Sequence, residues 1–66
     1  MVRIELEDAD ARRLSVTLEI VRDELLREIA RTDDRAFRHE LVIREALVAK
    51  LLDRLPRADA QTAWMG

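Results

Sequence analysis

Two runs of helical periodicity meet at Arg31-Thr32-Asp33-Asp34-Arg35-Ala36-Phe37, and this stretch decides the fold. Thr and Asp have modest propensity inside helices but are preferred as N-caps, because their side chains accept hydrogen bonds from free amides. Thr32 or Asp33 can therefore cap a second helix, with the following Asp in its first turn. Since no glycine marks a turn, the spacing also permits one helix of about 47 residues. We favour two helices.

Before this stretch, apolar residues recur at spacings of three and four, which is typical of one face of an α-helix. The face consists of Ala11, Leu14, Leu18, Val21, Leu25 and Ile29. Asp8 is a candidate N-cap, and Arg27 and Arg31 lie where the dipole of a helix favours cations. The pattern predicts a first helix over residues 9–31.

After the stretch, a second apolar face runs to Pro56, which stops the helix. Its members are Phe37, Leu41, Val48, Leu51, Leu52 and Leu55. The second helix is predicted over residues 33–55. The fold class is therefore all-α, an antiparallel two-helix hairpin in which positions whose numbers sum to about 66 face each other.

Residues 2–7 alternate strictly between apolar and charged side chains, which is the signal of a β-strand. The apolar members are Val2, Ile4 and Leu6, and the charged members are Arg3, Glu5 and Glu7. A single strand needs a partner for its backbone, and a second copy can supply one. Antiparallel pairing about Ile4 would set Arg3 opposite Glu5 of the other copy. The alternative is an extended arm packed on the helices.

The chain has 66 residues, no cysteine and one histidine, so it is a single domain over residues 1–66 with a small core. Without disulfides, oligomerisation is the remaining means of stabilisation. A second apolar set lies away from the main faces: Val16, Ile20, Val42, Ile43, Ala46 and Ala49. With Val2, Ile4 and Leu6, this set is the predicted interface of a homodimeric four-helix bundle. A tetramer and a bundle with an unlike protein remain open.

Charge and hydropathy restrict the expected partners. The 12 basic and 14 acidic residues are mixed along the chain and give a net charge of -2, so no basic face for nucleic acid is expected. No apolar run approaches the roughly 18 residues of a membrane span, and the N-terminus does not resemble a signal peptide. We expect a cytoplasmic protein. The tail, residues 57–66, contains the only tryptophan, Trp64. The tail is a docking segment for a partner, a segment that folds back on the bundle, or a frayed end.

Arg22 and Arg44 interrupt the apolar faces, and the hairpin register places them level with each other. Two guanidinium groups in one core layer need partners. The candidates are Glu19, Glu40, Glu45 or carboxylates of another subunit. We predict a polar core layer that fixes the register, with binding of an anion or ligand at this layer as the alternative.

Metal and catalytic motifs are missing from the sequence. Ala36 and Ile43 occupy the positions that would complete a di-iron or zincin motif with His39. No hydroxyl residue has a histidine close in sequence, and Gly66 as the only glycine excludes a glycine-rich phosphate loop. The prediction is a protein without enzymatic activity, metal or cofactor.

The predicted function is a homo-oligomeric helical interaction or regulatory protein. A ribbon-helix-helix DNA-binding regulator or antitoxin is the alternative suggested by the order strand, helix, helix. Two features count against this alternative. The first helix of this chain is about ten residues longer than that fold allows, and Glu5 and Glu7 would face DNA phosphates, which repel carboxylates. The stretch 31–38 together with Arg44-Glu45-Ala46-Leu47 resembles a pattern in small uncharacterised bacterial proteins of helical-hairpin type. That resemblance covers residues 4–55 and implies the hairpin, with no activity attached.

Overall fold

The computed structural model describes residues 1–56, which form two α-helices, α1 (Asp8–Arg31) and α2 (Arg35–Arg54). The two helices pack against each other, so the prediction of a hairpin is confirmed and the single long helix is wrong. The predicted tail with Trp64 lies outside the described residues.

The first helix ends at Arg31 as predicted but begins at Asp8, one residue earlier. Glu7 occupies the N-cap position without a side-chain hydrogen bond, so the prediction of Asp8 as the cap is wrong. Asp8 and Asp10 instead lie in the first turn, where the helix dipole favours carboxylates. At the other end, the Thr32 hydroxyl donates to the Glu28 carbonyl oxygen over 2.6 Å and satisfies one free acceptor of the last turn.

The cap of the second helix is Asp34, whose Oδ1 accepts a hydrogen bond from the Phe37 amide over 3.1 Å. The prediction of Thr32 or Asp33 in this role is wrong, because Thr32 already closes the preceding helix. A cap of this kind stabilises a helix by about 1 kcal/mol. The helix therefore starts two residues later than predicted and ends at Arg54, just before Pro56.

Two side-chain contacts tie the helices together in antiparallel orientation. Ser15 Oγ donates to the Pro56 carbonyl oxygen over 2.6 Å, and Arg22 Nε donates to Glu45 Oε2 over 2.9 Å. Position 22 thus lies opposite position 45, within one residue of the predicted register. Among apolar side chains of the described chain, only Leu41 and Val48 are buried, at 3% and 8% exposure.

The N-terminal arm, residues 1–7, contains no strand within the described part of the chain. At the end of the arm, the Glu7 carbonyl oxygen accepts a hydrogen bond from the Ala11 amide over 2.9 Å. Val2, Ile4 and Leu6 are exposed. The alternating pattern therefore has no strand partner in its own described chain, and pairing with a second copy stays a prediction.

Candidate functional site: the exposed apolar surface

The contact between α1 and α2 has two edges, and polar groups close one of them. Helical positions turn by about 100° per residue, which places Ser15 and Arg22 on the same side of α1. Their partners are Glu45 on α2 and Pro56, which lies just after α2. We call this side the polar edge. Ser15 is buried, so its hydroxyl is held inside the structure and committed to the Pro56 carbonyl.

The ion pair of the polar edge joins Arg22 to Glu45, one of the three carboxylates named as candidates from the sequence. The hydrogen bond from Arg22 to Glu45 and the attraction between their charges raise the pKa of the guanidinium above its ordinary value. An arginine is already protonated at all working pH values, so this shift makes no pH-dependent contribution to stability. The pair joins position 22 of α1 to position 45 of α2.

Arg44 lies on the opposite edge, half exposed, with its Nε 3.6 Å from Glu40 Oε1 one helical turn away. These contacts do not bring Arg22 and Arg44 together, although the two positions are level along the hairpin. The difference is angular, because Arg22 and Arg44 project to opposite sides of the helix contact. Each guanidinium has a carboxylate partner within its own chain.

The edge that carries Arg44 is otherwise apolar, and the two helices alone do not cover it. We call it the apolar edge, and it consists of Leu14, Val21, Phe37 and Leu51. Phe37 and Leu51 remain 45% and 42% exposed, and Leu14 is exposed as well. All four belong to the apolar faces predicted to form the core. They stay accessible because each helix has a single neighbour, which shields only the middle of the face.

The helical residues predicted as the interface of a dimer occupy three separate surfaces, apart from Val2, Ile4 and Leu6 on the arm. Val16 and Ile20 lie on the back of α1, and Ile43 lies on the back of α2, all exposed. Val42 and Ala46 are also exposed, and Ala49 is half-buried, on the side of α2 near the polar edge. The hairpin therefore does not gather this set into one continuous face.

The described residues contain neither a cluster of metal ligands nor a helix that could cross a membrane. Within residues 1–56, no group of three or more histidine, cysteine, aspartate or glutamate side chains could hold a metal ion. His39 is exposed on α2. Neither α1 nor α2 combines the length and hydropathy that a membrane crossing requires.

Comparisons with protein-family models, with curated proteins and with solved structures each found no match. The candidate site thus rests on the residues and geometry of this chain.

Proposed function

We propose that the protein is a helical interaction module that works as a homodimer, with two hairpins packed as a four-helix bundle. The observation that carries this proposal is the imbalance between buried and exposed apolar side chains. Leu41 and Val48 are buried, whereas thirteen large apolar side chains are exposed over the described residues. Four exposed or half-buried members of the helix faces, Leu14, Val21, Phe37 and Leu51, lie together on the apolar edge, and a contiguous exposed apolar patch is typical of an interaction site.

The energetic balance supports an assembly of more than one chain. Burial of a Val or Leu side chain stabilises by about 1.5 to 3 kcal/mol, so two such residues contribute only a few kcal/mol. Burial of exposed apolar residues against a second copy would add contributions of the same size for each residue covered.

We further propose that the arm pairs with the arm of the second copy as an antiparallel ribbon. Opposing Arg3 to Glu5 and Val2 to Leu6 gives favourable cross-strand contacts twice about the two-fold axis. An isolated two-stranded ribbon is marginally stable, so its apolar face needs support. The exposed apolar side chains of the helices offer such a support.

We propose a non-enzymatic role as adaptor or regulator for this assembly. Self-association through one surface leaves the backs of the helices free to bind another protein. Val16 and Ile20 on α1, and Ile43 on α2, are exposed apolar residues that could serve such a partner.

The dimer predicts a thermal midpoint that depends on protein concentration. Dilution by a factor of 100 should lower Tm by about 10 °C, because folding and association are then one coupled equilibrium. Circular dichroism melts over this range, with a monomeric helical protein as the control, provide the measurement. An invariant midpoint would contradict the proposal.

A further inference from the structure

We infer that the apolar edge is the surface on which the second copy docks, with the two-fold axis parallel to the helices. This inference rests on the proposed homodimer and adds which face joins the copies. Such an axis places α1 of each copy beside α2 of the other. Every neighbouring pair of helices in the bundle is then antiparallel, as in an up-down four-helix bundle.

The first support is a continuous pattern of core positions that includes the apolar edge. In α1 the pattern runs through the apolar positions 14, 18, 21 and 25 and ends at Glu28. In α2 it runs through 37, 41, 44, 48, 51 and 55, where Arg44 is the only charged residue. Spacings that alternate between four and three residues are typical of the seam in helical bundles. Leu41 and Val48 are buried in the hairpin, whereas Phe37 and Leu51 are still exposed. A second hairpin is needed to cover the rest of the seam.

The second support is that the competing edge is already closed. Arg22 pairs with Glu45, and Ser15 donates to Pro56, so the polar edge has its contacts within one chain. A copy that docked there would cover this ion pair, and removing charges from water is costly. The apolar edge also carries an ion pair, between Arg44 and Glu40, but its four apolar side chains gain from burial and offset that cost.

The third support is charge complementarity between Arg44 and Glu24, which indicates a second copy of this chain as the occupant. Both are exposed: Arg44 lies on the apolar edge of α2, and Glu24 lies on α1 one helical turn after Val21. Since 22 faces 45, Glu24 and Arg44 lie within one residue of the same level. A two-fold axis along the helices therefore places Arg44 of each copy next to Glu24 of the other copy, which gives two equivalent contacts. Arginine has five N–H donors, so Arg44 can keep its contact with Glu40.

The test exchanges the charges in separate chains. Glu24→Arg and Arg44→Glu should each weaken the dimer on the order of tenfold, because two attractive contacts become repulsive. An equimolar mixture of the two variants should regain association near the wild-type level, since a mixed dimer restores both attractive contacts. Light scattering over a dilution series at low salt measures the apparent dissociation constants of each variant and of the mixture.

Asp23→Arg and Lys50→Glu are matched controls, because they make the same charge changes at exposed positions of the same helices away from the apolar edge. Their mixture should associate no better than either variant alone. Leu51→Glu should reduce the solution mass to that of one chain, whereas Ile20→Glu should leave a dimer. Circular dichroism measures the helicity of both variants in parallel. If wild type is dimeric but the Glu24→Arg and Arg44→Glu mixture shows no recovery, the docking surface is wrong and the homodimer stands. A monomeric wild type would overturn the homodimer itself.

Discussion

Replacement of Leu41 by alanine is expected to lower the free energy of unfolding by about 3 kcal/mol. Leu41 is 3% exposed and is one of two buried apolar side chains in the described chain. Its truncation removes packing at the centre of the helix contact, where no other buried leucine can compensate. For a small protein this loss is a large fraction of the total stability. Urea unfolding at one fixed protein concentration measures the change.

Ile43→Ala is the control for this experiment, since it removes a similar volume from the same helix. Ile43 is half exposed on the back of α2. We expect its truncation to cost less than about 1 kcal/mol. Equal losses for the two variants would show that burial within the hairpin does not determine stability.

Ser15→Ala is expected to destabilise the protein by about 1 to 2 kcal/mol. The Ser15 hydroxyl donates to the Pro56 carbonyl over 2.6 Å and holds the residues after α2 against α1. Alanine would remove the donor of this contact, in which Ser15 is 2% exposed although Pro56 itself is exposed. The same urea titration measures the effect.

Thr17→Ala provides a matched control, because it also removes one hydroxyl from α1. Thr17 Oγ1 donates over 3.0 Å to the Arg13 carbonyl in an exposed position. Water can replace that contact, so a change within about 0.5 kcal/mol is expected. If Thr17→Ala lowered the free energy of unfolding as much as Ser15→Ala, the contact between Ser15 and Pro56 would not explain the effect of the Ser15 variant.

The hairpin and its register could be predicted from the sequence because they depend on repeated signals. The apolar spacing defines two faces, and Thr32, Asp33 and Asp34 interrupt them together. The contact between Arg22 and Glu45 shows that the predicted register is correct within one residue. Each of these features follows from many residues, so no single misassigned position could change the result.

The details that were predicted wrongly depend on choices between chemically similar residues. Thr32, Asp33 and Asp34 can all accept hydrogen bonds at a helix N-terminus, and the sequence does not rank them. The structure uses Thr32 to close α1 and Asp34 to cap α2. Arg22 and Arg44 show a related limit. The two residues lie at the same level of the hairpin, but the angle of each around its helix directs them to opposite edges.

The role of Ser15 was missed although the sequence contains a signal for it. Position 15 lies on the same face as Leu18 and Arg22 and is the only hydroxyl among its neighbours on that face. A polar residue within an apolar face requires a hydrogen-bond partner when it is buried. The partner, the Pro56 carbonyl, could not be anticipated because it depends on the path of the chain after α2.

The solution mass of the wild-type protein tests the central claim most directly. Light scattering across a dilution series should give twice the 7.7 kDa of one chain, with helicity lost only as the mass falls. A constant mass of 7.7 kDa with full helicity at every concentration would contradict it. The hairpin would then be stable alone, and its apolar edge would have no second copy to cover it.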